Sequence, residues 1–340
     1  MTPLHRLSDI LASYGVRPIK TEKISERMIR IYDLERVYAL KRSDLTDETV
    51  RLWVHVYKMA KDHQLRSIIP VYVTMNGSLY QKVNGTIYYL TPWKETTVRK
   101  QQKHMKQVYK ALGTIHAQTK FKRTISPKVT VTQFEAYQTN CETLFHRLES
   151  YVEQFELNTY MSPFEWLVCS HYHQLKHMLD MSLQSVDLLI DHFHSTNKWN
   201  ICLCHGQLDL SHLIFSERVY LINWDHATYQ NSIVDLSVFL KQIATDVYAQ
   251  RETHMEAFEA YLQENMLNQS ELHLLVVYLL DLHTYISLVE RYNQQTSNNH
   301  SQVKQVMALE KHFRQLTFCF SFLEELLHMF DAESIDSTAD

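Results

Sequence analysis

The chain has 340 residues, 45% of them apolar, which suffices for a large core and, at roughly 150 residues per domain, for about two folding units. Lys and Arg number 34 against 38 Asp and Glu, a formal charge of −4, so no global cationic field draws the chain to nucleic acid or to an anionic membrane. The only glycines are Gly15, Gly77, Gly85, Gly113 and Gly206, too few and too far apart for a dinucleotide-binding G-x-G-x-x-G or a Walker loop.

Residues 1–93 carry short strand-like runs, from Val37 to Leu40, Ile68 to Val73, Leu79 to Val83 and Ile87 to Leu90. Asn76-Gly77 and Asn84-Gly85 supply the positive φ angles of tight turns, so 68–91 reads as a three-stranded antiparallel meander. Asp44 or Thr46 is placed to cap a helix reaching about His63, with Val50, Trp53, Val54, Tyr57 and Ala60 on one face. A β-rich N-terminal lobe over 1–93 is therefore expected. After Pro92-Trp93 the spacing turns helical, first through Met105, Val108, Leu112 and Ile115, then through Phe134, Tyr137, Cys141, Leu144 and Leu148. Beyond Pro163 there is no proline and one glycine, which predicts helices at about 164–196, 235–266, 271–293 and 301–329. Only the strand-like island from Ile201 to Asn223 interrupts them. Residues 94–330 are thus expected to form a helical C-terminal lobe, and the acidic 331–340 a disordered tail.

Charge or amide side chains interrupt the apolar stretches before the roughly 18 residues of a membrane span, and MTPLHRLSDI lacks the apolar run of a secretory signal. A soluble protein is expected. Cys141, Cys169, Cys202, Cys204 and Cys319 are odd in number and include no C-x-x-C, which predicts free thiols in a reducing compartment.

The island reads His205-Gly206-Gln207-Leu208-Asp209-Leu210-Ser211-His212-Leu213-Ile214-Phe215, then Val219 to Asn223-Trp224-Asp225-His226-Ala227, then Val234-Asp235-Leu236-Ser237. This order resembles the aminoglycoside-phosphotransferase-like kinases, whose catalytic loop H-G-D-x-x-x-x-N precedes a hairpin ending I-D-[WF]-[DE]-x-A and a helix opening with D-L-[AS]. Upstream, Tyr38-Ala39-Leu40-Lys41-Arg42 resembles the strand with the nucleotide-phosphate lysine, Leu90-Thr91-Pro92-Trp93 the hinge, and Leu112-Gly113-Thr114-Ile115-His116 the first helix of the large lobe. Within that superfamily the chain looks most like the spore coat protein S (CotS/YsxE-type) family of endospore-forming bacteria. The resemblance spans roughly residues 20–330. It implies an α+β, bilobal protein-kinase-like fold, Lys41 as a nucleotide-phosphate ligand, Thr91 at the hinge, and His205, Gly206, Asp225 and Asp235 as structural residues of the motif.

The departures from that pattern fall on the chemistry. Phosphoryl transfer uses a carboxylate to orient the acceptor hydroxyl, an Asn and an Asp to hold Mg²⁺, and a loop whose backbone approaches the phosphates. Gln207 stands at the base position, and an amide accepts no proton near neutral pH; that loss alone costs about 10²- to 10⁴-fold. His212 replaces the loop Asn and Asn223 the metal Asp, poor ligands for a hard, oxygen-preferring cation. Asp209 and Asp225 each lie two residues beyond a lost carboxylate, at positions where the pattern does not need them as substitutes. The segment Thr21 to Arg27, where the phosphate loop belongs, has no glycine and two acids.

Other chemistry-bearing residues take plainer readings. Cys202 and Cys204 face one side of a strand with no second Cys or His pair at metal-site spacing, and read as buried thiols. His173 and His177, at i,i+4, are a chance pair among 20 histidines, and Ser211 lacks the glycines of a nucleophile elbow. Residues 94–128 hold ten Lys/Arg against one acid, Glu95, a solvated face or a surface for an acidic partner; nucleic acid is the least favoured partner, since the aromatics of this stretch are expected on the core side, and no nucleic-acid partner is expected. The expectation is a pseudokinase: no catalysis, no metal, no cofactor, no membrane, a structural component that associates with other spore coat proteins, made in the mother-cell cytoplasm and carried into the coat. The alternatives are a small-molecule phosphotransferase acting on a sugar or amino alcohol with atypical metal ligands, and a nucleotide-binding regulator without catalysis.

Overall fold

The computed structural model describes residues 3–96, 104–246, 251–294 and 302–336. The chain forms two compact units. The first comprises Met1–Lys120, Cys202–Gln230 and Gln263–Asn265, the second Phe121–Ile201, Asn231–Leu262 and Met266–Asp340.

The first unit contains α1 (Pro3–Ser13), β1 (Lys20–Ser25), β2 (Met28–Tyr32), β3 (Val37–Ser43), α2 (Thr49–Asp62), β4 (Gln81–Val83), β5 (Thr86–Pro92) and α3 (Met105–Thr119). The strands form an antiparallel sheet in the order β1-β2-β3-β5-β4. Asn84 (φ 51°) and Gly85 (φ 79°) make the β4–β5 turn, as expected of a hairpin that needs two left-handed residues. Ile31, Tyr38, Leu40 and Leu90 bury one face of the sheet with Ile10 and Leu11 of α1 and with Val16. On α2 the buried stripe is Val50, Trp53, Val56 and Tyr57, whereas Val54 and Ala60 are only half-buried. Thr46 does help to start that helix, its hydroxyl accepting from the Thr49 N–H at 3.3 Å.

The meander expected over 68–91 is only two-thirds present. Residues 69–73 form no strand: Pro70 has no N–H to give a ladder, Ile68 makes an isolated parallel bridge with Leu221, and the Tyr72 N–H alone reaches β5, at the Leu90 carbonyl (2.8 Å). Conversely, the sequence reading does not include α1, whose Leu4, Leu7, Ile10 and Leu11 recur at helical spacing, or the β1–β2 hairpin.

The rest of the first unit is the island. The end of β7 (Lys198–Cys204) pairs with β10 (Thr228–Gln230), and β8 (Leu213–Phe215) with β9 (Val219–Leu221). Helix α3 packs on β9 and α2 on the short turn Trp224–His226.

In the second unit, β6 (Phe121–Thr124) pairs with the start of β7. Helices α4 (Pro127–Glu156) and α5 (Pro163–Ser195) pack together, with α6 (Ile233–Ile243), α8 (Gln269–Leu279), α9 (His283–Gln294) and α10 (Gln302–Asp336) around them and α7 (Arg251–Glu264) running to Leu262 inside this unit. Capping boxes start two of these helices, Ser162 with Glu165 at α5 and Asn268 with Glu271 at α8.

Two of the long helices predicted from the sequence are broken. The one over 235–266 is α6 and α7, with a turn closed by the Thr245 and Asp246 N–H groups and residues 247–250 outside the described ones. The one over 271–293 is α8 and α9, because Asp281 accepts the His283 N–H (3.1 Å) and restarts the chain as a new helix. Together Gln269–Gln294 is long and apolar enough to cross a membrane (mean hydropathy 1.6), contrary to the sequence expectation; 61% of that apolar window is buried inside the protein. Helix α10 reaches Asp336, so good helix formers such as Ala332 and Glu333 extend it into the segment expected to be a disordered tail.

Candidate ligand cavity

Alternation along β3 points Lys41 and Ser43 to the same side, and the register sets Tyr89 of β5 directly opposite Lys41. All three meet the loop that follows β9. The Lys41 ammonium donates to Asn223 Oδ1 at 2.7 Å, the Ser43 hydroxyl to Asp225 Oδ2 at 2.5 Å, and the Tyr89 hydroxyl to Asp225 Oδ1 at 3.2 Å. Lys41 is only 8% exposed. Burial pulls its pKa down to about 8 against the opposing pull of Asp225. Burial, with Tyr57 and Asp225 nearby, pushes the Tyr89 phenol well above its ordinary value.

Behind these side chains the backbone is tightly determined. His205, fully buried, donates from Nε2 to the Ile222 carbonyl at 2.8 Å and packs its ring 4.9 Å from that of Trp224. Gly206 has φ +81°, and a Cβ there would lie 2.1 Å from the His226 carbonyl oxygen, so no other residue fits. Asn223 is itself left-handed (φ 63°, ψ 53°), a conformation that Asn tolerates better than most residues. Asp209 is a cap: its Oδ1 accepts from the Ser211 N–H, the Ser211 hydroxyl and the His212 N–H. Burial raises its carboxyl, but the Ser211 bonds and the His212 imidazole outweigh that and hold it below the usual range.

These elements enclose a cavity of about 360 Å³. Its lining is cationic, with Arg27, Lys41 and Arg42 against the single carboxylate of Asp225, beside the imidazoles of His212 and His226 and the amides of Gln207 and Asn223. The segment 21–27 is a hairpin with a two-residue turn at Glu26-Arg27. Its two acids do not line the cavity: Glu22 accepts from the Tyr32 hydroxyl and Glu26 pairs with Lys23. Ser25 and Arg27 do line it, with the Arg27 guanidinium paired to Asp44 at 2.5 Å, so the hairpin turns toward the cavity a cation that already has a partner and none of its acids.

Of the residues singled out in the sequence, Lys41, Gln207, His212, Asn223 and Asp225 meet at this cavity, and His205 and Gly206 fix its backbone. Thr91 is buried in β5 opposite Ala39 and does not belong to the described lining. Asp235 is fully buried in the first turn of α6, in the second unit. Arg42, Ser43, Tyr89 and His226 were missed, although the i,i+2 rule applied to Lys41 would have found Ser43.

In the basic segment, Lys94 pairs with Glu217 (2.6 Å) and Lys110 with Glu264 (3.6 Å), whereas Lys106, Lys122, Arg123 and Lys128 are exposed. Arg99, Lys100 and Lys103 lie outside the described residues. Tyr109 is buried as expected, but Phe121 is 48% exposed, at the mouth of the β6 strand.

The donor set does not fit Mg²⁺. The one amide oxygen at the metal-Asp position is engaged by an ammonium 2.7 Å away, His212 offers imidazole, its Nδ1 tied to the Gln207 carbonyl at 2.8 Å, and both Asp225 oxygens accept hydroxyl bonds. The two carboxylates that might replace the lost ones are thus a cap and a tether to the sheet.

No protein-family model matches the chain, and no curated protein matches it. Solved structures do. An aminoglycoside phosphotransferase from Alicyclobacillus acidocaldarius superposes with a TM-score of 0.70 at 16% identity, over 98% of this chain and 97% of that one. The chain has a protein-kinase-like fold. A spectinomycin phosphotransferase in complex with ADP and spectinomycin (TM-score 0.53, 15% identity, 95% of this chain and 98% of that one) and a microcompartment-associated aminopropanol kinase (0.53, 11%, 95% and 98%) share it. At such identities the likeness is one of fold.

Proposed function

We propose that the chain binds a phosphorylated small molecule, a nucleotide being the foremost candidate, in the cavity beside Lys41 and does not transfer its phosphoryl group. The observation that carries this reading is the Lys41–Asn223 bond. The buried Lys41 ammonium rests on a neutral amide and so keeps its charge for a phosphate at the place where a kinase uses a dication, with the exposed Arg42 beside it and Arg27 shared with Asp44. Gln207 leaves the acceptor hydroxyl without a base.

What such a protein does in the cell follows from the sequence resemblance alone: a structural or assembly component of the spore coat, made in the mother-cell cytoplasm, with other coat proteins as partners and an acidic one at the basic segment 94–128. The second reading is a small-molecule phosphotransferase, and the named structural neighbours favour it over the coat role, since they are kinases of an aminoglycoside, spectinomycin and aminopropanol.

Phosphoryl transfer from labelled ATP to a panel of aminoglycosides, amino alcohols and sugars, with Mg²⁺ or Mn²⁺, separates the two. Binding without transfer predicts no product above the enzyme-free rate from the wild type. Turnover that depends on the metal and is abolished by Lys41→Met establishes the phosphotransferase.

A further inference from the structure

A second cluster lies in the first unit, away from the side chains just described. Cys202 and Cys204 alternate on β7 and therefore project to one side of it, their sulfurs 3.8 Å apart. The sequence offers them no partner, but the fold does. Helix α3 brings His116 to the same point, and a nitrogen of His116 and both sulfurs all lie within 4.8 Å of one another. The approach is fixed by backbone: one turn beyond His116, the Thr119 hydroxyl accepts the Leu203 N–H at 3.0 Å, which locks the end of α3 to the middle of the Cys-Leu-Cys segment. The three side chains are 0%, 1% and 0% exposed.

We infer that His116, Cys202 and Cys204 form a binding site for a thiophilic d¹⁰ cation, Zn²⁺ or Cu⁺. Two thiolates bound to one zinc at about 2.3 Å and a tetrahedral angle stand about 3.8 Å apart, the spacing the sulfurs already have. With all three ligand atoms within 4.8 Å of one another, the imidazole is within about an ångström of the distance from the sulfurs that a tetrahedral site needs. One nitrogen and two sulfurs make a donor set that selects soft and borderline metals over Mg²⁺ or Ca²⁺. On binding, both thiols give up their protons to solvent, so the site carries no net charge with Zn²⁺ and one negative charge with Cu⁺. The Cys204 thiol donates to the Gln230 carbonyl on β10 at 3.6 Å, which places a further oxygen beside the site.

The site is structural in consequence: it ties α3 to the strand that leads directly into His205 and Gly206, and its fully buried setting is that of a metal retained for folding. It is independent of whether the cavity binds phosphate or transfers it.

The test uses the full chain, expressed and purified under reducing conditions. Elemental analysis is expected to find about one zinc or copper per chain. After removal of the metal, Co²⁺ should give a thiolate-to-metal charge-transfer band that Zn²⁺ quenches, or Cu⁺ should be withdrawn from a chromophoric chelator; the two arms distinguish the ions. Cys202→Ser and His116→Gln should each weaken binding by about 100-fold or more, beyond the loss typical of an outer-shell partner. Cys319→Ser, at a buried thiol of the second unit, should leave it unchanged. Alkylation of the folded wild type provides a second measurement that does not depend on whether His116→Gln folds, and in it the metal must protect two thiols. A folded wild type that retains no metal, gives no cobalt band and does not hold Cu⁺ against the chelator overturns the inference, as does a Cys319→Ser variant as impaired as Cys202→Ser.

Discussion

Two parts of the island at 202–230 have fared differently. Its backbone supports are His205 on the Ile222 carbonyl, Gly206 against the His226 carbonyl and Trp224 on the Leu221 carbonyl. Its side chains at 207, 212 and 223 are an amide, an imidazole and an amide where transfer chemistry wants acids and a metal ligand. The contrast teaches that the shape of the loop and its chemistry are separately encoded: the shape depends on buried groups with no tolerance for change, and the chemistry on groups that face a cavity and can be exchanged without unfolding the chain.

The most damaging test of that division is Gly206→Ala. The new Cβ must displace the His226 backbone and adopt a positive φ, which together should cost about 3 kcal/mol or more in chemical denaturation. A neutral outcome breaks the comparison at its strongest point. Next comes the Lys41 ammonium. Its pKa is about 8 in the folded chain against about 10.5 unfolded, so between those values the unfolded state binds more protons and stability rises with pH, by about 3 kcal/mol over the full window. Denaturation at a series of pH values should show that Lys41→Met flattens this rise relative to the wild type. An identical slope in both proteins would mean that the lysine is not held as described.

Asp235→Ala probes the second unit, where the carboxylate is fully buried at the start of α6; orphaning its partners should cost about 1–3 kcal/mol. Gln207→Ala should be the mildest, under about 0.5 kcal/mol, because the side chain faces an open cavity. The reverse ranking of these two would place position 207 among the supports and position 235 among the exchangeable groups.

Much of this was legible in the sequence because it is local. The His205-Gly206 pair, the Asn223-Trp224-Asp225 run and the Asn84-Gly85 turn announce themselves within a few residues. Lys41 was picked out by the resemblance of residues 38–42 to the kinase strand with the nucleotide-phosphate lysine. What escaped was set by pairing between distant segments: Tyr89 enters the cavity through its register with Lys41, Arg27 through a hairpin with weak alternation, and His116 reaches the two thiols because α3 is pinned to β7 through Thr119. The break at Asp281 was hidden for a different reason, since an acid inside an apolar run reads equally as a helix surface or as a cap.

The central proposal is that the cavity beside Lys41 binds a phosphorylated molecule without a metal, and thermal-shift titration with ADP, in EDTA and again with Mg²⁺, tests it directly. Whatever binds only the folded chain raises its melting temperature by mass action. The account predicts the same rise in EDTA and in Mg²⁺, lost in Lys41→Met and retained in Gln207→Ala. A rise seen only with Mg²⁺ and abolished by Asn223→Ala, or no rise in either condition, would contradict it.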